Sequence, residues 1–162
     1  MTTKRQVFYS FCFDDDVMRV QQIRNMGLVD GYEPVSPNEW ERLQRASGGI
    51  KKWIDDNMAY RSCVIVLVGR RTADRPWVKY EIEKAWNERK GLFGIYINNL
   101  KCPRAGTCSA GPNPFDGFTF KESGRKMSSV VPCYNPSPGS AYADINANIA
   151  RWVEVAIASR KA

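Results

Sequence analysis

Three short stretches of the chain are apolar at nearly every position: residues 7–13 (VFYSFCF), 63–69 (CVIVLVG) and 92–97 (LFGIYI). Short, β-rich and apolar on both faces, they read as strands buried in a parallel sheet. Between and after them the apolar positions fall at helical spacing. Val17, Val20 and Ile23 mark one face after the first run. Ile50, Trp53, Ile54 and Met58 mark another before the second, and Val78, Ile82, Ala85 and Trp86 follow it. Ile145, Ile149, Trp152, Val153, Ala156 and Ile157 give the cleanest 3.6-residue stripe.

Local signals refine the ends. Ser36 and Glu39 stand at capping-box spacing with Pro37 at the first helical position, opening a short helix through Trp40 and Leu43. Residues 32–35 are expected to form a weak edge strand. Asp74 is expected to cap the helix that Arg75-Pro76 starts. The alternation of strands and helices predicts an α/β fold: a flavodoxin-like, doubly wound parallel sheet in three α/β/α layers. One domain is expected over residues 1–162. Residues 101–141 break the pattern, holding six of the nine prolines and three of the five cysteines. They read as an irregular insertion before the last helix.

Composition narrows the function classes. At 162 residues and 43% hydrophobic, the chain can bury a core without a disulfide or metal staple. It shows no signal-peptide apolar region and no run long enough to span a bilayer, so the expectation is a cytoplasmic protein that uses no membrane. Cys12 and Cys63 sit in apolar runs and read as small buried hydrophobes. Cys102, Cys108 and Cys133 lack C-x-x-C spacing and the chain has no histidine, so no metal site is expected. The absence of histidine removes the commonest general base and leaves carboxylates to carry any catalysis. The net charge is +7. Lys and Arg are scattered rather than gathered into a tract, which argues against nucleic acid and suits an anionic small ligand.

In open α/β sheets ligands bind beyond the carboxyl ends of the strands, so two stretches matter. After the first strand come Asp14, Asp15 and Asp16. A phospho-receiver pocket would need an aspartate ending the central strand, where Val68-Gly69-Arg70-Arg71 stands instead. The remaining reading is helix N-terminal carboxylates favoured by the macrodipole. After Gly69, Trp77 precedes Glu81 by one turn, about 40° around the helix. Glu81 thus falls at the seam between core and cleft. A carboxylate there suits ribose hydroxyls and a developing oxocarbenium ion, and the indole suits a base. By spacing alone the signal is weak, because W-x-x-x-E is common and a surface Glu over a core Trp is the more usual arrangement.

The motifs carry a resemblance. Val7-Phe8-Tyr9-Ser10-Phe11 is similar to the first strand of TIR domains. Trp77-Val78-Lys79-Tyr80-Glu81-Ile82 resembles the TIR helix segment whose glutamate is catalytic in NAD⁺-cleaving members. The chain most resembles the TIR-like proteins of bacterial Thoeris antiviral defence, with further matches at Asp16, Arg19, Arg24-Asn25, Trp40-Glu41, 64–69, 94–97 and Gly111-Pro112-Asn113-Pro114-Phe115-Asp116. Residues 117–141 match poorly. Cys12 stands where some TIR domains carry a basic residue, so phosphate contacts do not transfer there.

The resemblance implies cleavage of the nicotinamide–ribose bond of NAD⁺, taken as substrate with no cofactor. It implies a cyclic ADP-ribose-type product that signals to a separate effector protein, and a homo-oligomer on activation. Glu81 is then catalytic. Ser10, Phe11 and Trp77 are expected to line the same cleft and bind substrate, with Glu81 within about 11 Å, two helical turns, of the first strand's end. Two other readings stay open: a non-catalytic TIR interaction module and a plain nucleotide-binding flavodoxin-like domain. The absence of G-x-G-x-x-G speaks against a Rossmann dinucleotide site.

Overall fold

The structure is a computed structural model that describes residues 4–31, 37–102 and 106–161. Among these, the chain runs β1 (Gln6–Ser10), α1 (Phe13–Asn25), β2 (Asp30–Gly31), α2 (Pro37–Arg45), α3 (Gly49–Met58), β3 (Cys63–Val68), α4 (Pro76–Asn87), β4 (Gly91–Tyr96), β5 (Cys133–Tyr134) and α5 (Ala141–Lys161). The strands form one sheet in the order β2-β1-β3-β4-β5. Every pairing is parallel, with Tyr9 beside Ile65 and Val66 beside Gly94. The three apolar runs are therefore the adjacent central strands, as their two-sided burial demands.

Alternation along each strand divides the core. Val7, Tyr9, Ile65, Leu67, Phe93 and Ile95 face α1 and α5, where Val20, Ile23, Ile145, Ile149, Val153 and Ile157 meet them. Phe8, Val64, Val66, Val68 and Leu92 face α3 and α4, meeting Ile54, Met58, Val78, Ile82 and Ala85. Successive strand residues point to opposite faces, so Ser10 shares the α4 side with Phe8.

Some expected boundaries move. The first apolar run crosses from strand to helix: β1 ends at Ser10, Cys12 is extended at the N-cap, and Phe13 already opens α1. Asp14, Asp15 and Asp16 in that first turn favour the helix through its dipole. Asp74 does not cap α4. It ends a 3-10 turn, Thr72–Asp74, and Arg75 takes the N-cap position without a side-chain cap bond before Pro76. The proposed edge strand at 32–35 and the capping residue Ser36 lie outside the described residues; the edge pairing seen is that of Asp30 and Gly31 with β1.

The insertion is less irregular than its composition suggests. It holds two 3-10 turns, Pro114–Gly117 and Met127–Ser129, and supplies β5. Phe115, Met127 and Val131 fill the α4 side of the core. Tyr134 stacks on Trp152 of α5, with ring centroids 4.2 Å apart and planes 8° from parallel.

Candidate active site

Each member of the site owes its position to a local rule. Ser10 is the last residue of β1, turned by strand alternation toward α4 and fully buried. The loop after β3 folds back because Thr72 Oγ1 accepts the Gly69 N–H at 2.7 Å. Pro76 then starts α4 at its first position. Val78, Ile82 and Ala85 bury one stripe of that helix, and Glu81, beside Ile82, is drawn in with them at 6% exposure.

The outcome is a direct contact. Ser10 Oγ donates to Glu81 Oε1 at 2.6 Å, well within the two-turn limit set above. Glu81 is therefore a buried carboxyl rather than one at the margin of core and cleft. Burial pushes its pKa up to about 8, and the Ser10 hydrogen bond works in the opposite direction. Desolvation penalises the charged form and a donor to the carboxylate favours it. Here burial wins, so in the free protein Glu81 holds its proton at neutral pH.

The two aromatic candidates are placed differently. Trp77, one turn before Glu81, is 38% exposed, and its ring meets Tyr80 edge-on at 5.8 Å. Phe11, just past β1, packs against the α1–α5 side of the core, with its ring 6.2 Å from Phe13. Ser10 and Glu81 are thus brought together in hydrogen-bond contact, while the two rings engage other neighbours, Phe11 on the α1–α5 side of the sheet and Trp77 against Tyr80.

Residue-by-residue reading missed two features. Phe13 stacks on Trp40 of α2 at 5.2 Å with planes 19° apart, which extends the Phe11 ring into an aromatic row. Apolar continuity alone puts Phe13 in the first strand run, and helical spacing alone gives Trp40 no partner in α1. The second feature is Asp16, which is buried rather than solvated. It pairs with Arg19 at 3.0 Å, and Arg19 also donates to the carbonyls of Leu100 and Gly106. Burial raises the Asp16 pKa to about 6 against the pull of Arg19. The i, i+3 spacing of Asp16 and Arg19 was the available signal. Among the described residues, no group of three or more Cys, Asp or Glu side chains is arranged to hold a metal.

A parallel sheet of order 2-1-3-4-5 with helices on both faces, and a serine–glutamate pair at its carboxyl edge, has the architecture of a flavodoxin-like, TIR-like domain. Residues 8–102 match the family described as Thoeris protein ThsB, TIR-like domain. The chain belongs to that family. It is 30% identical over 131 residues to a Bacillus cereus (strain MSX-D12) protein named "Putative cyclic ADP-D-ribose synthase ThsB1", covering 76% of this chain and 68% of that relative. No helix among the described residues is long and apolar enough to cross a membrane.

Proposed function

We propose that this protein consumes NAD⁺, breaking the nicotinamide–ribose bond and making a cyclic ADP-ribose-type signal for antiphage defence. The observation that carries the reading is the buried Ser10–Glu81 hydrogen bond at the carboxyl edge of the sheet. The family membership and the name of the relative support it.

The chemistry needs little of the protein. Nicotinamide leaves as a neutral base from a cationic ring, so no general acid is required. A charge builds on the ribose as the bond breaks, and one carboxylate facing it stabilises that charge, unlike the two-carboxylate pattern of glycosidases. A chain without histidine can supply this. Glu81 holds its proton until about pH 8 in the free protein. A pyridinium cation a few ångströms away favours the ionised form, so substrate binding lowers the Glu81 pKa and its proton is released to solvent. Ser10 then donates to the carboxylate and fixes its orientation. Trp77 and Phe11 offer apolar faces to the aromatic ends of the dinucleotide.

In this reading NAD⁺ is the substrate, no resident cofactor or metal takes part, and the protein works in the cytoplasm. Its product passes to a separate effector, and copies of the chain assemble on activation to complete the site. The test is to incubate the protein with NAD⁺ in the activated state and identify products by mass. Free nicotinamide with a cyclic product of mass NAD⁺ less nicotinamide, one water lighter than linear ADP-ribose, supports the reading. Intact NAD⁺ under conditions where the protein assembles would favour a non-catalytic interaction module.

A further inference from the structure

On the other side of the sheet edge from Glu81 lies a cleft of about 820 Å³. It opens between the first turns of α1 and Cys102 with residues 107–109, and Arg70, two residues past β3, also lines it. This is the β1/β3 crevice of a 2-1-3-4-5 sheet, where the crossovers on the two sides of β1 diverge and where open α/β sheets take their ligands. Its size suits a small organic molecule.

The walls are held in place. Arg19 ties α1 to the carbonyls of Leu100 and Gly106 at 2.8 Å each. Gly111 packs so closely on the turn after β3 that a Cβ there would stand 2.4 Å from the Gly69 carbonyl oxygen. Asp16, buried in the floor, gives Oδ1 to Arg19 and has no hydrogen-bond donor for Oδ2. Gly69 seals that oxygen, since a Cβ on Gly69 would lie 2.2 Å from it.

Two charged groups line the cleft without partners. Asp14 and Arg70 are both exposed, and neither forms an ion pair among the described residues. The cleft is lined as well by Thr107 and Ser109, which carry hydroxyls, and by the apolar side chains of Val17 and Met18. An unneutralised guanidinium takes phosphate oxygens. A free carboxylate and two hydroxyls suit a ribose diol, and the aliphatic wall suits a base. A divalent cation fits less well. Asp15 is held by Arg71 and Asp16 by Arg19, which leaves one free carboxylate beside a repelling arginine.

We propose that the cleft between α1 and residues 107–109 is a second nucleotide site, taking a ribose 5′-phosphate with its base, separate from the Ser10–Glu81 pair. Arg70 binds the phosphate, Asp14 with Thr107 and Ser109 the ribose, and Val17 with Met18 the base. Nothing in it depends on Glu81 being catalytic.

The test is titration of the full chain with AMP, followed by calorimetry and by amide NMR shifts. The expected result is shifts at residues 14–19 and 107–109. Affinity should fall about tenfold or more in Arg70→Ala, the usual size of a lost charge-assisted hydrogen bond. Asp14→Asn should weaken AMP with no effect on inorganic phosphate. Arg70 and Asp14 are exposed, so both variants should fold, and unchanged melting curves verify it. Shifts confined to the surroundings of Ser10 and Glu81 would overturn the proposal. So would equal affinity for AMP in both variants, inorganic phosphate binding as tightly as AMP, or Mg²⁺ alone reproducing the shifts at 14–19.

Discussion

The Ser10 hydroxyl and the Glu81 carboxyl, 71 residues apart in the chain, meet at 2.6 Å. The contact joins the last residue of β1 to the second turn of α4 and puts the carboxyl in a place that water scarcely reaches. A carboxyl so placed is neutral at rest and becomes strongly interacting once ionised, because little solvent screens it.

Glu81→Gln keeps the shape and removes the ability to ionise. If the carboxylate stabilises a cationic ribosyl transition state, nicotinamide release should fall on the order of 10²-fold or more, with a much smaller change in NAD⁺ affinity. Turnover assays of both proteins in the activated state decide it. A fully active Glu81→Gln would remove this residue from the reaction.

The same substitution should change stability in a pH-dependent way. The folded pKa of Glu81, about 8, lies above its ordinary value of 4.5. Between those values the folded state binds more protons than the unfolded one, so stability declines as pH rises through the window. The glutamine cannot titrate and escapes that loss. Urea denaturation at pH 5, 7 and 9 should show the variant gaining on the wild type, by of order a few kcal/mol at the alkaline end. A pH-independent gap would show that burial does not hold the proton.

Ser10→Ala removes a donor that favours the ionised carboxylate. The Glu81 pKa should rise further. The alkaline-rising limb of kcat/KM, which reports the free enzyme, should be half-maximal near pH 8 in the wild type and move upward in the variant. An unshifted limb with lower activity would make Ser10 a substrate contact without influence on Glu81.

Trp77 is more than a third exposed, so Trp77→Ala should leave the melting temperature nearly unchanged. If the indole stacks on a ring of the substrate, binding should weaken by about 1–3 kcal/mol, the usual worth of such a stack. KM should rise while kcat changes less. An unaltered KM would assign the ring to its edge contact with Tyr80 alone.

Gly69→Ala and Gly111→Ala separate two kinds of crowding. At Gly69 the new methyl meets a side chain, the Asp16 carboxylate; at Gly111 it meets the Gly69 and Arg70 carbonyls, which are backbone. Both should cost about 1–3 kcal/mol, as overpacking does, with Gly111→Ala the worse because a peptide yields less than a carboxylate. Denaturant midpoints rank them.

Much of this architecture was legible because central strands and long helices advertise themselves by period. Three apolar runs and the α5 stripe define the parallel sheet and both of its layers. β5 was not legible, since two residues with half-buried side chains have no period to detect. Phe13 was misplaced because apolar continuity says nothing of where a strand bends into a helix; the acid-rich turn after it does. Spacing put Trp77 and Glu81 on neighbouring parts of one helix. It could not tell a marginal glutamate from a buried one, because that depends on Ser10 arriving from another element. Spacing gives Asp16 as one of three carboxylates at a helix N-terminus; its burial depends on Arg19 and the Leu100 and Gly106 carbonyls, which sequence neighbours do not reveal.

The Tyr134–Trp152 stack has a consequence for the order in which the chain acquires its shape. α5 shares with α1 the cover of one face of the central strands and, through Trp152, holds the insertion's only strand among the described residues. On the ribosome, β1, β3 and β4 are therefore made long before their lid. Adding the 21 residues of α5 takes on the order of 1–4 s at ~5–20 residues per second. Until then the part of that face not covered by α1 stays exposed, a hydrophobic surface a holding chaperone would grip, and release from it should coincide with the emergence of Ile145 to Ile157.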